Sequence, residues 1–349
     1  MDAHTKPDWM TIRRDNTTSA LESAYAEGLT GLTVASREGK RITLAQGGTF
    51  TEFVSCSYLG LETHPALIDA AHQALGTFGL HLSSSRSAMR PVYLPELESL
   101  LSRVYKGCGV SVFTSTSSVH LGVLPLLGSN SLKGYPIKKR AHWLIDKTAH
   151  ASMQVLRGIL QQFGEVSRVE ATDPESMRVA LKHCADRQET PILLIDGIGS
   201  MSGLVPIAHL ARQLEGAGYA LAAVDNQLPH NMILAGSLSK AFGGAGGFVV
   251  VSDPRDIPSI HTLANPLVFG HSIMVPMLAA NVAAAKIHLS DEIDSLQDRL
   301  WSNVRLFDSL THNRLLNAGV QSPVRGAFFE TEEDGLQACR ILRDHGILM

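Results

Sequence analysis

Two short apolar runs, each closed by an aspartate, constrain this chain most: PILLID at Pro191–Asp196 and YALAAVD at Tyr219–Asp225. Runs this short are strand-length, and without polar alternation they suit strands buried on both faces. The same apolar strand signal recurs at Val110–Thr114, His142–Asp146, Met232–Leu238 and Gly247–Val251. Helical patterns alternate with these strands at Leu97–Val104, His120–Leu127, Ser152–Phe163, Pro174–Cys184 and Pro206–Glu215. Asp173 is placed to cap the Pro174 helix. Buried strands separated by helices predict an α/β fold, with a mostly parallel central sheet between flanking helices.

Sheets of this kind bind ligands beyond the carboxyl ends of their strands. Polar groups gather at five such ends: Thr114–Ser118, Asp146–His150, Asp196–Ser202, Asp225 and Ser237–Lys240. A solvated loop explains any one of them and explains all five poorly. Lys240 is the only charge in Ile233–Ser252, where small residues and glycines surround it. Desolvation there would favour a reactive, neutral amine. The alternative is a solvated lysine in a hairpin loop.

An aspartate ending one strand and a lysine following the next suit pyridoxal phosphate. The lysine binds the cofactor covalently, and the acid keeps the pyridine nitrogen protonated so that the ring can take up carbanion electrons. Thr116, Ser117 and Ser118 offer a helix start for the phosphate, and Ser237 and Ser239 offer hydroxyls. His150 could lie over the ring, although a lone histidine is more often structural. Asp225 could instead cap a helix or join an ion pair.

The flanks read differently. Residues 1–52 form a polar arm, with a helix expected at Thr18–Glu27 and a strand at Ile42–Ala45. A domain over 53–265 would open on strand Phe53–Ser57 and a helix begun by His64-Pro65. A smaller α+β domain is expected over 266–349, with helices at Ile273–Leu289, Asp291–Leu310 and Gly335–His345 and a strand at Ala327–Glu330. The net charge of −3 offers no field for nucleic acid or an anionic membrane. No apolar run is long enough to span a bilayer, and no signal peptide is expected from the polar residues 1–19. Cys56, Cys108, Cys184 and Cys339 show no metal or disulfide spacing. A cytoplasmic protein without a metal site is expected.

Six motifs in order carry a resemblance from about Phe53 onward. They are SYLGL at Ser57–Leu61 followed by His64-Pro65, FTSTSS at Phe113–Ser118, DKTAHAS at Asp146–Ser152, DGIGSMSG at Asp196–Gly203, Val224-Asp225, and SLSKAFGGAGG at Ser237–Gly247. The chain resembles the α-oxoamine synthase family, a branch of the fold-type I pyridoxal-phosphate enzymes. The resemblance implies a decarboxylating condensation of an amino acid with an acyl thioester, on coenzyme A or a carrier protein, in a homodimer. By position, Lys240 matches the cofactor-linked lysine, Asp225 the partner of the pyridine nitrogen, and His150 the histidine stacked on the ring. Ser200 matches the serine near the ring hydroxyl. Thr116 and Ser117 match the phosphate-binding amides, and Ser237 matches a phosphate-binding hydroxyl. Ser57 and Arg86 fall at substrate-binding positions.

The chain also departs from the family. Ser57 stands for an asparagine, and HLSSSRSAMRPVYLPELE replaces a glycine-rich substrate loop, with Leu94 where many members have a histidine. Only NQLPHN separates Asp225 from Met232, where the family has a long glycine-rich loop. The family also continues past the position of Met349 to an arginine for the substrate carboxylate. Both segments are expected in the complete protein, and His230 does not stand for the histidine of the missing loop. Two other readings remain open. One is a different pyridoxal-phosphate reaction, transamination or aldol-type; the other is a non-catalytic partner subunit, a type that usually lacks the lysine. If Asp225 supports the electron sink, Asp225→Asn will fold and can still hold cofactor through Lys240. Exchange of the substrate α-proton into deuterated water, followed by NMR, will fall by orders of magnitude.

Overall fold

In the computed structural model the described residues are 21–199, 203–222 and 228–349. They form two compact units: residues 56–326, and residues 21–55 together with 327–349.

In the larger unit, helix α1 (Pro65–Phe78) starts with Pro65 at its first position, and His64 Nδ1 accepts the Ala66 N–H at 3.2 Å. Helix α2 (Tyr93–Val104) buries Leu94, Leu97, Leu100 and Leu101 on one face, the spacing of an amphipathic helix. Seven strands follow: β1 (Gly109–Phe113), β2 (Ala141–Asp146), β3 (Gly164–Val169), β4 (Thr190–Leu194), β5 (Tyr219–Ala222), β6 (Met232–Ser237) and β7 (Gly247–Val251). They lie in one sheet in the order β1-β7-β6-β5-β4-β2-β3. Pairings are parallel except around β7, which runs against both β6 and β1. β1, β2, β4 and β7 are buried along their whole length, as runs covered on both faces must be.

Helix α3 (Thr116–Gly128) follows β1 and covers one face of the sheet. Helix α4 (Val275–His288) lies against α1 and α2, where Ala279, Ala280, Ala284 and Ala285 permit close approach. Residues 266–326 therefore belong to the same compact unit as the sheet.

Two local expectations in this unit are corrected. Ser152–Phe163 is not one helix but two short turns, Ala151–Gln154 and Arg157–Leu160, with the weak helix formers Val155 and Gly158 at and just beyond the break. GEVSRV, unrecognised as a strand, forms the outer strand β3, where one neighbour and a half-exposed face allow Glu165 and Arg168.

In the smaller unit, residues 21–26 are helical. Strands Val34–Glu38, Arg41–Leu44 and Thr49–Glu52 run antiparallel, and Ile347–Leu348 adds to the last of them in parallel. The ladder ends at Glu52, so the expected strand at Phe53–Ser57 does not form. Ala327–Glu330 is likewise not a strand, and Phe328 and Phe329 are exposed. The last helix, Glu332–Asp344, is capped by Thr331 and binds Glu27 through Arg340 at 2.7 Å.

Tyr135 joins the start of β6 to the residue after β7. Its fully buried hydroxyl donates to the Met232 carbonyl at 2.9 Å and accepts the Ser252 N–H at 2.9 Å. Burial pushes the phenol up to about 12. Tyr135→Phe leaves the buried Met232 carbonyl and the half-buried Ser252 N–H without this partner and will cost about 1–3 kcal/mol. A lower urea midpoint at unchanged m-value is the expected signature.

Candidate functional site

The site is built where strands of the larger unit end. β1 runs into α3, and Ser115 caps that helix by accepting the Ser118 N–H at 3.0 Å. Among the described residues, the N–H groups of Thr116 and Ser117 have no acceptor. Two free amides on the first turn of a 13-residue helix attract an anion. The Thr116 hydroxyl donates to the Gly236 carbonyl of β6 at 3.3 Å. Gly247, which opens β7, lies so close that a Cβ there would be 2.5 Å from Thr116 N. Backbone therefore meets backbone at this point, with no side chain between.

The link from β6 to β7 carries Lys240 on its exposed side. Leu238 N–H bonds the Gly246 carbonyl and Gly244 N–H bonds the Leu238 carbonyl, both at 2.9 Å. Gly243 has φ +66°, and a Cβ on it would be 2.4 Å from Glu62 N. Glycine is required there by both conformation and space. Asn281 of α4 is fully buried beneath this loop. Its amide donates to the Ala245 carbonyl at 2.8 Å and accepts the Ala245 N–H at 3.3 Å. Phe242 stacks on His288 with ring centres 4.1 Å apart.

β2 ends on Asp146, whose buried carboxylate accepts N–H groups from Thr148 at 2.8 Å and Ala171 at 2.7 Å. That turn leads to His150, which caps the residue 151–154 turn with its ring exposed. The His150 N–H donates to Asp196 Oδ2, just beyond β4, at 2.8 Å. Burial raises the Asp196 carboxyl above its ordinary range, with Asp146 adding to the rise. The His150 amide and the charges of His150 and Lys240 pull the other way. The fold thus brings His150, Asp196 and Lys240 into electrostatic reach of one another.

Asp196, which opens one of the five polar strand ends, and Asn281 take individual roles that the sequence does not show. Asp196 had a signal, since PILLID ends on an acid just as YALAAVD does. Asn281 had a weaker one, as the single polar side chain between Val275 and Ala285.

Other expected residues lie apart or outside the described chain. Ser237 is half-buried at the end of β6 and accepts the Ser239 N–H at 3.2 Å. Ser57 donates to Glu62. Arg86 is buried, donating to the Val112 carbonyl and to Glu98 at 2.8 Å. Burial would raise Glu98, but hydrogen bonding to His261 and the Arg86 charge outweigh it and hold the carboxyl below its usual range. Arg86 is thereby engaged within the fold. Ser200 and Asp225 lie outside the described residues.

Away from this site, His142, Glu165 and His183 are near enough to share a cation. His142 is already bonded to Glu189 and Ser167, both at 2.8 Å, and Arg187 pairs with Glu165 at 3.2 Å. The group is a polar clasp on the outer strands.

Residues 208–348 match the model of the aminotransferase class I and II family. The chain is 27% identical to a serine palmitoyltransferase of Caulobacter vibrioides over 84% of its own length and 74% of that protein. It is 27% identical to an 8-amino-7-oxononanoate synthase of Geobacter metallireducens, over 82% of this chain and 75% of that one. A serine palmitoyltransferase structure from S. paucimobilis superposes with a TM-score of 0.79 at 19% identity, covering 98% of this chain and 91% of that chain. The last similarity establishes the shared fold.

The Asn281 contacts make the Lys240 loop dependent on α4. Asn281→Ala will leave the Ala245 backbone unpaired, at about 1–3 kcal/mol. Hydrogen exchange at the Leu238 and Gly244 amides will accelerate, while amides of β2 and β4 keep their protection.

Proposed function

We propose that this chain, a member of the α-oxoamine synthase family, joins an amino acid to an acyl thioester with loss of carbon dioxide, giving an α-aminoketone. The observation that carries this reading is that Lys240, His150, Asp196 and the free amides of α3 all follow the carboxyl ends of strands in one sheet, with His150 and Lys240 in electrostatic reach of Asp196. The residues present suit pyridoxal phosphate. Thr116 and Ser117 would hold its phosphate through backbone N–H groups, and the Ser237 hydroxyl would join them. Lys240 would hold it covalently, and the exposed ring of His150 would lie against it. Asp225 and Ser200 enter by sequence position alone, toward the pyridine nitrogen and the ring hydroxyl.

Bound pyridoxal phosphate supplies a sink for the electrons of a carbanion next to the amino group. Lys240 Nζ, freed when the amino group of the substrate takes its place, would accept the α-proton and return a proton to the same carbon once carbon dioxide has left; the acyl thioester would supply the acyl carbon and release its thiol. Asp196 fixes the backbone of His150 through the 2.8 Å hydrogen bond, so the ring is set before substrate arrives. Arg86, at a position that would face the substrate, is held in place by Glu98 at 2.8 Å. The reading also makes the protein a cytoplasmic homodimer with the thioester on coenzyme A or a carrier protein.

The purified protein, incubated with an amino-acid panel and acyl thioesters, will release free thiol and a product of the mass of the aminoketone. Pyridoxamine phosphate without thiol release would instead identify transamination. Lys240→Ala will lose borohydride-stable cofactor and about 10²–10⁴-fold in turnover. Unchanged thiol release in that variant would overturn the reading.

A further inference from the structure

His120 lies in α3, almost fully buried beneath the site. Its Nδ1 is 3.0 Å from Ser152 Oγ, and the same oxygen is 2.7 Å from His150 Nδ1. One hydroxyl therefore stands between two ring nitrogens, and the direction of both hydrogen bonds can be worked out. The Ser152 backbone N–H, which can only donate, is 3.2 Å from His150 Nδ1. That nitrogen must present a lone pair. The Ser152 hydroxyl, which has a single proton, then donates to His150 Nδ1. The remaining bond needs a donor, and only His120 Nδ1–H can supply it. Burial, with a smaller contribution from His150, brings His120 down to about 4. Its ring is neutral at physiological pH, and its one proton is on Nδ1.

We propose that His120 is a positioning residue: by donating to Ser152 it commits the hydroxyl proton to His150 Nδ1, which reinforces the Ser152 backbone N–H and keeps the His150 proton on Nε2. The order of hydrogen bonds stands by itself, while its use in catalysis rests on the function proposed above. A histidine free to exchange tautomers would offer a donor and an acceptor in turn on its open edge. The relay leaves only the donor, and it keeps the ring plane fixed by two bonds at Nδ1.

The test uses cofactor-free protein labelled with ¹⁵N at histidine. At neutral pH, His150 is expected to show a pyridine-type Nδ1 and a pyrrole-type Nε2, and His120 a pyrrole-type Nδ1. Ser152→Ala and His120→Leu, which leave the Ser152 backbone N–H as the one donor committed to Nδ1, will give His150 a measurable fraction of the other tautomer. His120→Asn, which places an amide donor where Nδ1 was, will restore a single form. In the same set, pyridoxal phosphate will bind about fivefold more weakly to Ser152→Ala and His120→Leu, in which the His150 ring is less firmly set, about 1 kcal/mol, and His120→Asn will recover it. A wild-type His150 protonated on Nδ1, or unchanged ring shifts in both disrupting variants, would overturn the inference. Equal cofactor affinity in all four proteins would also overturn it, since the relay would then not serve the site. Expected ring shifts in a wild-type protein that takes up no cofactor would support the hydrogen-bond order and remove the proposed function instead.

Discussion

The site depends on one close approach, between the first residue of β7 and the first turn of α3. Gly247 has no room for a side chain beside Thr116 N. The approach is possible because β7 runs against its neighbours, so its start lies level with the ends of β1 and β6. A parallel strand there would bring its far end instead. The reversal places the free amides of α3, the end of β6 and the Lys240 loop around one point. Everything polar in the site is arranged from that backbone contact outward.

Side chains beneath the site then stop its loops from moving independently. Asn281 holds the loop after Lys240 by both edges of one amide, and Asp146 fixes the turn before His150. Arg86, Glu98, His261 and Ser111 form a second group against β1. Each buried polar group in these networks has a partner, which is the condition for a polar interior to cost little. The exposed residues Lys240 and His150 are thus carried on a rigid base.

The sequence made the central strands legible because burial on both faces leaves an unbroken apolar run, as at Ile192–Leu194 and Val249–Val251. It hid β3 because an edge strand tolerates charge, and Glu165 and Arg168 broke the pattern. It suggested one helix after His150, where two turns form. Lys240 and His150 could be picked out because each follows a strand end. His120 carries no such mark and Asn281 only its polarity within an apolar helix, since each acts on residues at least 30 positions away. Arg86 was recognisable by position, yet only the fold reveals that Glu98 claims it. Partnership across distant sequence is what a single chain does not display.

The small sheet of the second unit has a consequence in time. Thr51 pairs with Ile347 and Glu52 with Leu348. At ordinary synthesis rates, the about 300 residues between these partners take roughly 15–60 s to make. For that interval the strand at Thr49–Glu52 has one open side, and a newborn chain carries an unpaired ribbon edge while its larger unit is already collapsing.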